Sequence, residues 1–386
     1  MIIPDYQAGS IVNLMSSITQ SRGGAINSLY APLRGLDMAR LCAVDNVVLL
    51  VIDGLGYDYL LQHRQSVLYK HLHSCITSVA PPTTVASITT FLTGMAPQQH
   101  GLTGWFTYFR ELGSVVTVLP YTHRNGGATL STQGIEARKF FDHTSVFEQM
   151  AVKCYSVTPS WLKASEYNIS HTVGAEMIPH SGYQHCFDEI ARLVHGNKQR
   201  KYIYAYWPEF DGLAHEHGVG SDQVVRHFTK LGVAFSKLLN QLRGSGTTLL
   251  VTADHGFVDI PPEHRLDLAD HPQLKECLLM PLCGEPRLVY CYVRYEKRQQ
   301  FERYVRDILI DVCDLYRSAD LIDQGIFGLG APHAELSSRV GDYTLVMKDN
   351  YVLTGRIPGE LPLRMVGFHG GLSAAEVYVP LVLAEC

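Results

Sequence analysis

The sequence predicts an α/β fold built around a mostly parallel central sheet. Three observations point there. Short, near-continuous apolar runs recur along the chain: Asn46–Ile52 (NVVLLVI), Tyr202–Trp207 (YIYAYW) and Gly246–Thr252 (GTTLLVT). Runs of this kind mark strands buried on both faces, the hallmark of parallel sheets covered by helices. Amphipathic helical segments, Phe187–His195 and Ser221–Leu242, stand between two of these runs. Finally, each apolar run ends close to an aspartate: Asp53, Asp211 and Asp254. Open α/β sheets place their ligand sites at the carboxyl ends of central strands.

The remaining elements follow in chain order. Residues 1–45 form a peripheral lead-in with helical spacing at Ile11–Ile18, a loop at Ser21–Gly24 and a short helix at Asp37–Cys42. After the first strand comes Asp53-Gly54-Leu55-Gly56. A dinucleotide-binding loop would need a third glycine where Tyr59 stands. Asp53 could equally be the N-cap of a helix over Tyr57–His71. Ile76–Ala80 reads as a second short strand, broken by Pro81-Pro82. Thr83 and Thr84 then stand at the start of a helix over Val85–Leu92, closed by Gly94. A hydroxyl there faces unpaired N–H groups and suits either an N-cap or a phosphate. Trp105–Val118 is aromatic and β-rich and reads as a hairpin or lid near that helix start. Lys153–Thr158 and Val377–Leu383 read as further strands. Residues from 257 to about 365 carry more charge and more turns. Within them Arg287–Arg294 and Tyr343–Met347 read as strands and Glu296–Cys313 as a helix.

Composition narrows the function. The chain has 386 residues, 46% of them hydrophobic, enough for a large core. The formal net charge of −5 argues against binding a nucleic-acid polymer. The most basic stretch, Asn197 to Lys201, reads as a solvated loop before a strand. The N-terminus lacks the basic and apolar regions of a secretory signal, and no run of about 18 apolar residues is present. Nine cysteines without a CxxC pair favour free thiols in a reducing compartment. The expectation is a cytoplasmic protein with no membrane association and an open oligomeric state.

The chemistry lies in how the acidic and imidazole groups fall. His215 follows Asp211 by four residues, which puts both on one face of a helical turn. His255 follows Asp254 directly, and His369 sits between glycines. Each residue alone has an ordinary structural alternative: an N-cap, a turn or a surface histidine. Together they are six oxygen and nitrogen ligands suited to zinc, and also to manganese. Six make two three-ligand sites with open positions, the catalytic pattern. Two metals about 4 Å apart can clamp an in-line displacement at phosphorus. A threonine hydroxyl is a poor nucleophile at neutral pH, and metal coordination lowers its pKa.

These residues fall in specific motifs: V-I-D-G-L-G at 51–56; T-x8-T-G-x5-H-G from Thr84 to Gly101; D-x3-H at 211–215; A-D-H-G at 253–256; and G-x-H-G-G at 367–371. In these the chain resembles the alkaline phosphatase superfamily, specifically the type I phosphodiesterase/nucleotide pyrophosphatase family and its bacterial relatives, from about Asn46 to the C-terminus. The resemblance implies an alkaline-phosphatase-like three-layer fold over residues 1–386, with helices flanking a mostly parallel sheet and a smaller α/β cap inserted at 258–365. It implies two divalent metals, usually zinc. Asp53, Thr84, Asp254 and His255 would hold one, and Asp211, His215 and His369 the other. It makes Thr84 the nucleophile and leaves Thr83 a capping or turn role.

The implied activity is hydrolysis of phosphodiester or pyrophosphate bonds in a small, nucleotide-like substrate through a phosphothreonine. The alternatives are a phosphomonoesterase, a phosphonate C–P hydrolase, or a catalytically silent metal- or ligand-binding protein on the same scaffold. A sulfatase would need Cys or Ser followed by Pro and Arg at the nucleophile, a pattern absent from PPTTVAS. In one respect the chain departs from the family. Eukaryotic-type members carry a phosphate-binding asparagine where this chain has Trp105. Trp105, Phe106 and Tyr57 are candidates for an aromatic wall against a base or aryl group.

Overall fold

The computed structural model describes residues 1–361 and 363–386. Its centre is a seven-stranded sheet in the order Leu72–Thr77, Tyr378–Glu385, Thr247–Thr252, Asn46–Ile52, Lys201–Trp207, Lys153–Pro159 and Ala175–His180. The pairings on either side of Asn46–Ile52 are parallel, as are those out to Ala175–His180. Tyr378–Glu385 pairs antiparallel with both of its neighbours. Every residue of the strands Asn46–Ile52, Lys201–Trp207 and Thr247–Thr252 is buried, as continuous hydrophobic strands between helical layers must be. Helices Tyr183–His195 and Asp222–Leu242 pack together, and so do Ile11–Ser21 and Thr84–Thr93. The fold is the mixed α/β architecture expected, a mostly parallel sheet flanked by helices.

A second sheet of seven strands is antiparallel throughout. Its order is Cys313–Arg317, Tyr343–Met347, Leu288–Cys291, Cys283–Glu285, Phe106–Phe109, Ser114–Thr117 and Thr122–His123. The segment around Trp105 therefore forms a hairpin that continues a sheet otherwise built from residues 283–347. Helix Arg298–Ile308 covers this sheet with a separate apolar cluster that includes Phe301, Val305 and Leu345.

Several boundaries differ from the sequence reading, each for a local reason. The helix expected over Tyr57–His71 is two, Tyr57–Gln62 and Val67–Lys70, because the Ser66 hydroxyl accepts from Tyr69 N–H and starts a new one. The strand placed at Ile76–Ala80 is Leu72–Thr77. Beyond it Ser78 N–H turns to the Val377 carbonyl and Ala80 N–H to the Tyr6 hydroxyl. Strands Ala175–His180 and Cys313–Arg317 were not expected, since both are short, part-polar edge strands. Lys201 is not solvated. It is fully buried, and its ammonium donates to the carbonyls of Leu193, Val194 and Asn197 at the end of the preceding helix. All nine cysteines are free. Among the described residues, no helix is long and apolar enough to cross a membrane.

Candidate active site

Topology brings the site together. Asn46–Ile52 lies between Lys201–Trp207 and Thr247–Thr252, and the three run parallel in register, Ile52 beside Trp207 and Val51 beside Thr252. Their carboxyl ends are therefore level. Asp53 follows one strand, Asp254 another, and Asp211 stands in the helix Glu209–His217 after the third. That helix sets His215 one turn beyond Asp211. His369 arrives on the Gly367–Phe368 strand, which pairs with Val258–Asp259, and its ring stacks on His255 with centroids 3.6 Å apart. Thr84 is the first residue of helix Thr84–Thr93, which Gly94 ends in a left-handed conformation at φ 72°. Two glycines of the motifs are sterically required. Gly54 has φ +77° and packs against the Asp211 backbone, and a Cβ on Gly256 would collide with the Ala375 carbonyl.

The polar atoms converge closely. His255 Nε2 lies 3.3 Å from Asp53 Oδ1, 3.4 Å from Asp254 Oδ2, 4.0 Å from Asp211 Oδ1 and 3.3 Å from Thr84 Oγ1. His215 Nε2 is 3.3 Å from Asp211 Oδ1 and 3.2 Å from His369 Nε2. Two trios each gather ligand atoms within 4.8 Å: Asp53, Asp254 and His255, and Asp211, His255 and His369. His255 thus stands where the two groups meet.

The surrounding hydrogen bonds decide what these atoms offer. His255 Nδ1 is 3.1 Å from the Gly256 carbonyl and His215 Nδ1 2.9 Å from the Gly367 carbonyl. A carbonyl only accepts, so both Nδ1 atoms carry the proton and both Nε2 atoms present lone pairs. Asp53 Oδ2 accepts from the Tyr206 hydroxyl. Asp254 Oδ1 accepts from the backbone N–H of Gly54 at 2.9 Å and of His255 at 3.0 Å. Asp53 Oδ1, Asp254 Oδ2 and Asp211 Oδ1 are buried with no hydrogen-bond partner among the described residues. Acceptors face acceptors, an arrangement that costs free energy unless a cation sits between them. Three carboxylate oxygens and three imidazole nitrogens are a donor set that fits zinc or manganese. Burial, with Asp254 and Asp211 beside it, pushes the Asp53 carboxyl well above its usual range; burial, Asp254 and Glu285 do the same to Asp211. Burial pushes His215 down to about 4 and lowers His255 and His369, so the imidazoles stay neutral.

Two cavities open onto Thr84, with volumes of about 470 Å³ and 960 Å³. Trp105, 38% exposed, lines both. Phe106 lines the smaller, under the Arg124 guanidinium 3.9 Å from its ring centroid. Tyr57 lines neither. It opens the helix Tyr57–Gln62. Thr83 occupies the N-cap position but makes no cap hydrogen bond. Its hydroxyl donates instead to Glu285 Oε1 at 2.7 Å, the same oxygen that accepts the Trp105 N–H at 2.7 Å. Glu285 and Tyr206 escaped the sequence reading. Glu285 lies in the charged stretch after 257, outside every motif. Tyr206 is indistinguishable in sequence from Tyr202 and Tyr204 on its strand.

Comparison with solved structures agrees with this fold. Comparison with curated protein sequences finds no match. Among solved structures, an inactive murine ectonucleotide pyrophosphatase/phosphodiesterase 5 in complex with AMP superposes with a TM-score of 0.65 at 15% identity, covering 87% of both chains. The human counterpart gives 0.64 at 14% identity, again over 87% of each. Phosphonoacetate hydrolase from Sinorhizobium meliloti in complex with phosphonoformate gives 0.60 at 18% identity, covering 87% of this chain and 89% of that one. The family model for type I phosphodiesterase/nucleotide pyrophosphatase matches residues 47–372, and the chain belongs to that family.

Proposed function

We propose that the protein hydrolyses phosphodiester or pyrophosphate bonds in small substrates, with Thr84 as nucleophile and two divalent cations as cofactors. The observation that carries this reading is Thr84 Oγ1 standing 3.3 Å from His255 Nε2, beside buried acceptors that lack donors. Asp53, Thr84, Asp254 and His255 would hold one cation and Asp211, His215 and His369 the other, zinc first and manganese second. When bound, such cations supply Lewis acidity that lowers the pKa of a hydroxyl or water and offsets charge on phosphoryl oxygens.

The chain's own groups do the rest. Thr84 Oγ1 attacks phosphorus in line and gives up its proton; the bond from phosphorus to the leaving oxygen breaks, that oxygen departs as an alcohol with a proton, and the phosphoryl group, still carrying its other substituent, is held on Thr84. Water then attacks the phosphothreonine, the Thr84–phosphorus bond breaks, and Thr84 recovers its proton. As the first residue of its helix, Thr84 shares with Val85 and Ala86 a set of N–H groups that no side chain caps. They are available to the phosphoryl oxygens, the role lost with an asparagine at Trp105. The Tyr206 hydroxyl and the N–H groups of Gly54 and His255 hold the carboxylates in place, and the Gly256 and Gly367 carbonyls orient the imidazoles. In this reading residues 258–365, with the Phe106–His123 strands, cap one catalytic domain. Nine free cysteines support a cytoplasmic location.

The test is hydrolysis of bis-p-nitrophenyl phosphate by zinc- or manganese-loaded protein, run beside p-nitrophenyl phosphate and phosphonoacetate. The diester should be the preferred substrate, and acid quenching should trap a p-nitrophenyl phosphoryl group on Thr84 as a mixed diester. Full diester hydrolysis by Thr84→Ala would sink the mechanism. A preference for phosphonoacetate or for the monoester would transfer the assignment to the corresponding hydrolase.

A further inference from the structure

The two cavities share Thr84, Trp105 and Asp211 and no other lining residue. The larger is walled by the main sheet and its loops, including Trp161, Tyr206, Trp207 and Pro208. The smaller is walled by the second sheet and residues after it, including Phe106, Leu282, Val289 and Met365. Each is within the size range of a complete small-molecule pocket. A monoester or a small phosphonate has one substituent on phosphorus and would leave one of these largely apolar spaces to water. A diester has two.

The smaller cavity also holds a polar group without a partner. Glu285 is 7% exposed and lies in its wall. Oε1 accepts from Thr83 and Trp105, while Oε2 has no hydrogen bond among the described residues. Two guanidinium groups line the same wall: Arg356, exposed and 3.7 Å from Asp267, and Arg124, which is already engaged. Its Nε and Nη2 bind Glu360 at 2.8 and 3.1 Å, and Nη1 and Nη2 bind the carbonyls of Leu282 at 2.5 Å and Gly355 at 2.6 Å. Beside the aromatic faces of Trp105 and Phe106, what remains for a ligand is the Glu285 oxygen that opens into the cavity. Burial pushes Glu285 up to about 7, so it is a carboxylate above that pH; there an anionic arm would meet it with like charge, whereas an arm with an N–H or O–H donor would complete it.

We propose that the smaller cavity takes one ester arm of a phosphodiester, that Glu285 selects an arm bearing a hydrogen-bond donor over its apolar isostere, and that the second arm lies in the larger cavity. This rests on the phosphodiesterase reading above. The donor is a hydroxyl or an amine set a few bonds from the ester oxygen.

The experiment compares 3-aminopropyl and butyl p-nitrophenyl phosphate at pH 8.5, where Glu285 is ionised, on the metal-loaded full-length protein, with bis-p-nitrophenyl phosphate as the control for diesterase activity. The aminopropyl arm carries only donors and matches the butyl arm in size. The expected result is a kcat/KM at least about tenfold higher for the aminopropyl ester, the worth of a hydrogen bond to a charged group. In Glu285→Gln the amide oxygen still accepts from Thr83 and Trp105, but the free carboxylate oxygen is gone, and the preference should vanish. Calorimetric Kd values for both esters on Thr84→Ala repeat the comparison without turnover. Hydrolysis of the control with equal rates for the two esters, or a preference that survives Glu285→Gln, overturns the assignment. If no diester is hydrolysed, the diesterase reading fails, and the calorimetric comparison still decides Glu285; equal Kd values or no binding then count against it.

Discussion

Removing the Glu376 carboxylate tests how the His369 loop is held. Arg287 and Glu376 are both fully buried, paired through Nε to Oε1 at 2.7 Å and Nη2 to Oε2 at 2.9 Å. The remaining guanidinium donors reach the carbonyls of Tyr351 at 2.7 Å and Asp349 at 2.8 Å. Glu376 Oε1 also accepts Gly371 N–H at 2.7 Å, and Oε2 the Ser373 hydroxyl at 2.6 Å. The pair therefore ties the second sheet to the turn that follows His369. Glu376→Ala leaves a buried guanidinium without a counter-charge, about 3–5 kcal/mol by comparison with other broken buried pairs. It also orphans the Gly371 N–H, a loss of about 1–3 kcal/mol that overlaps with the first and does not simply add. The net expectation is about 4 kcal/mol, read from urea unfolding of chelator-treated protein by tryptophan fluorescence. Arg287→Met combined with Glu376→Leu should cost less than either single change, because no charge is then stranded. With Gly371 unanchored, zinc affinity measured by calorimetry should also fall. If Glu376→Ala unfolds within about 1 kcal/mol of the parent protein, the buried pair does not hold the loop as argued.

Thr84→Ser should retain diester hydrolysis to within about a hundredfold, whereas Thr84→Ala loses at least about a thousandfold, as a nucleophile deletion does; equal losses would deny the hydroxyl its role. Adding zinc or manganese to chelated protein should raise its melting temperature with concentration, the stabilisation reaching about 2.7 kcal/mol at a hundred times Kd, because the cation relieves the facing carboxylates. The same addition to Asp53→Asn combined with Asp211→Asn should have much less effect. The histidine cluster away from the site sets an acid limit. His171 is fully buried, its Nε2 3.0 Å from His143 Nδ1, and burial pushes it down to about 4. The unfolded chain protonates it near 6.5. Its contribution is present above that pH and is lost as pH falls toward 4, up to about 3 kcal/mol. Urea midpoints from pH 7 to 4.5 should drop accordingly, and less steeply in His171→Asn; parallel slopes would reject this origin.

Much of the molecule was legible because its signals are local. A buried parallel strand has to be apolar at every position, so NVVLLVI and GTTLLVT announce themselves and place Asp53 and Asp254 at their ends. Helical periodicity alone put His215 on the same face as Asp211, and Pro81-Pro82 with Gly94 bracketed the helix that begins at Thr84. Edge strands such as Cys313–Arg317 carry no such pattern, because half their surface is not buried in a core.

What the tertiary structure alone decided are relations between residues far apart in the chain. Thr83 and Glu285 are separated by 202 positions and meet through one hydrogen bond, which no spacing rule encodes. The Trp105 hairpin joins a sheet built mostly from residues after 280, and so it comes to divide two cavities rather than flank one. Arg287 and Glu376 are charged residues that would ordinarily be assigned to solvent; only their mutual neutralisation makes full burial tolerable. Sequence by itself determined the fully apolar strands and the candidate ligands beside them, because burial and capping act on neighbouring residues. The packing of the second sheet against the first decided what surrounds Thr84, because an acceptor is defined by the donors that fail to reach it.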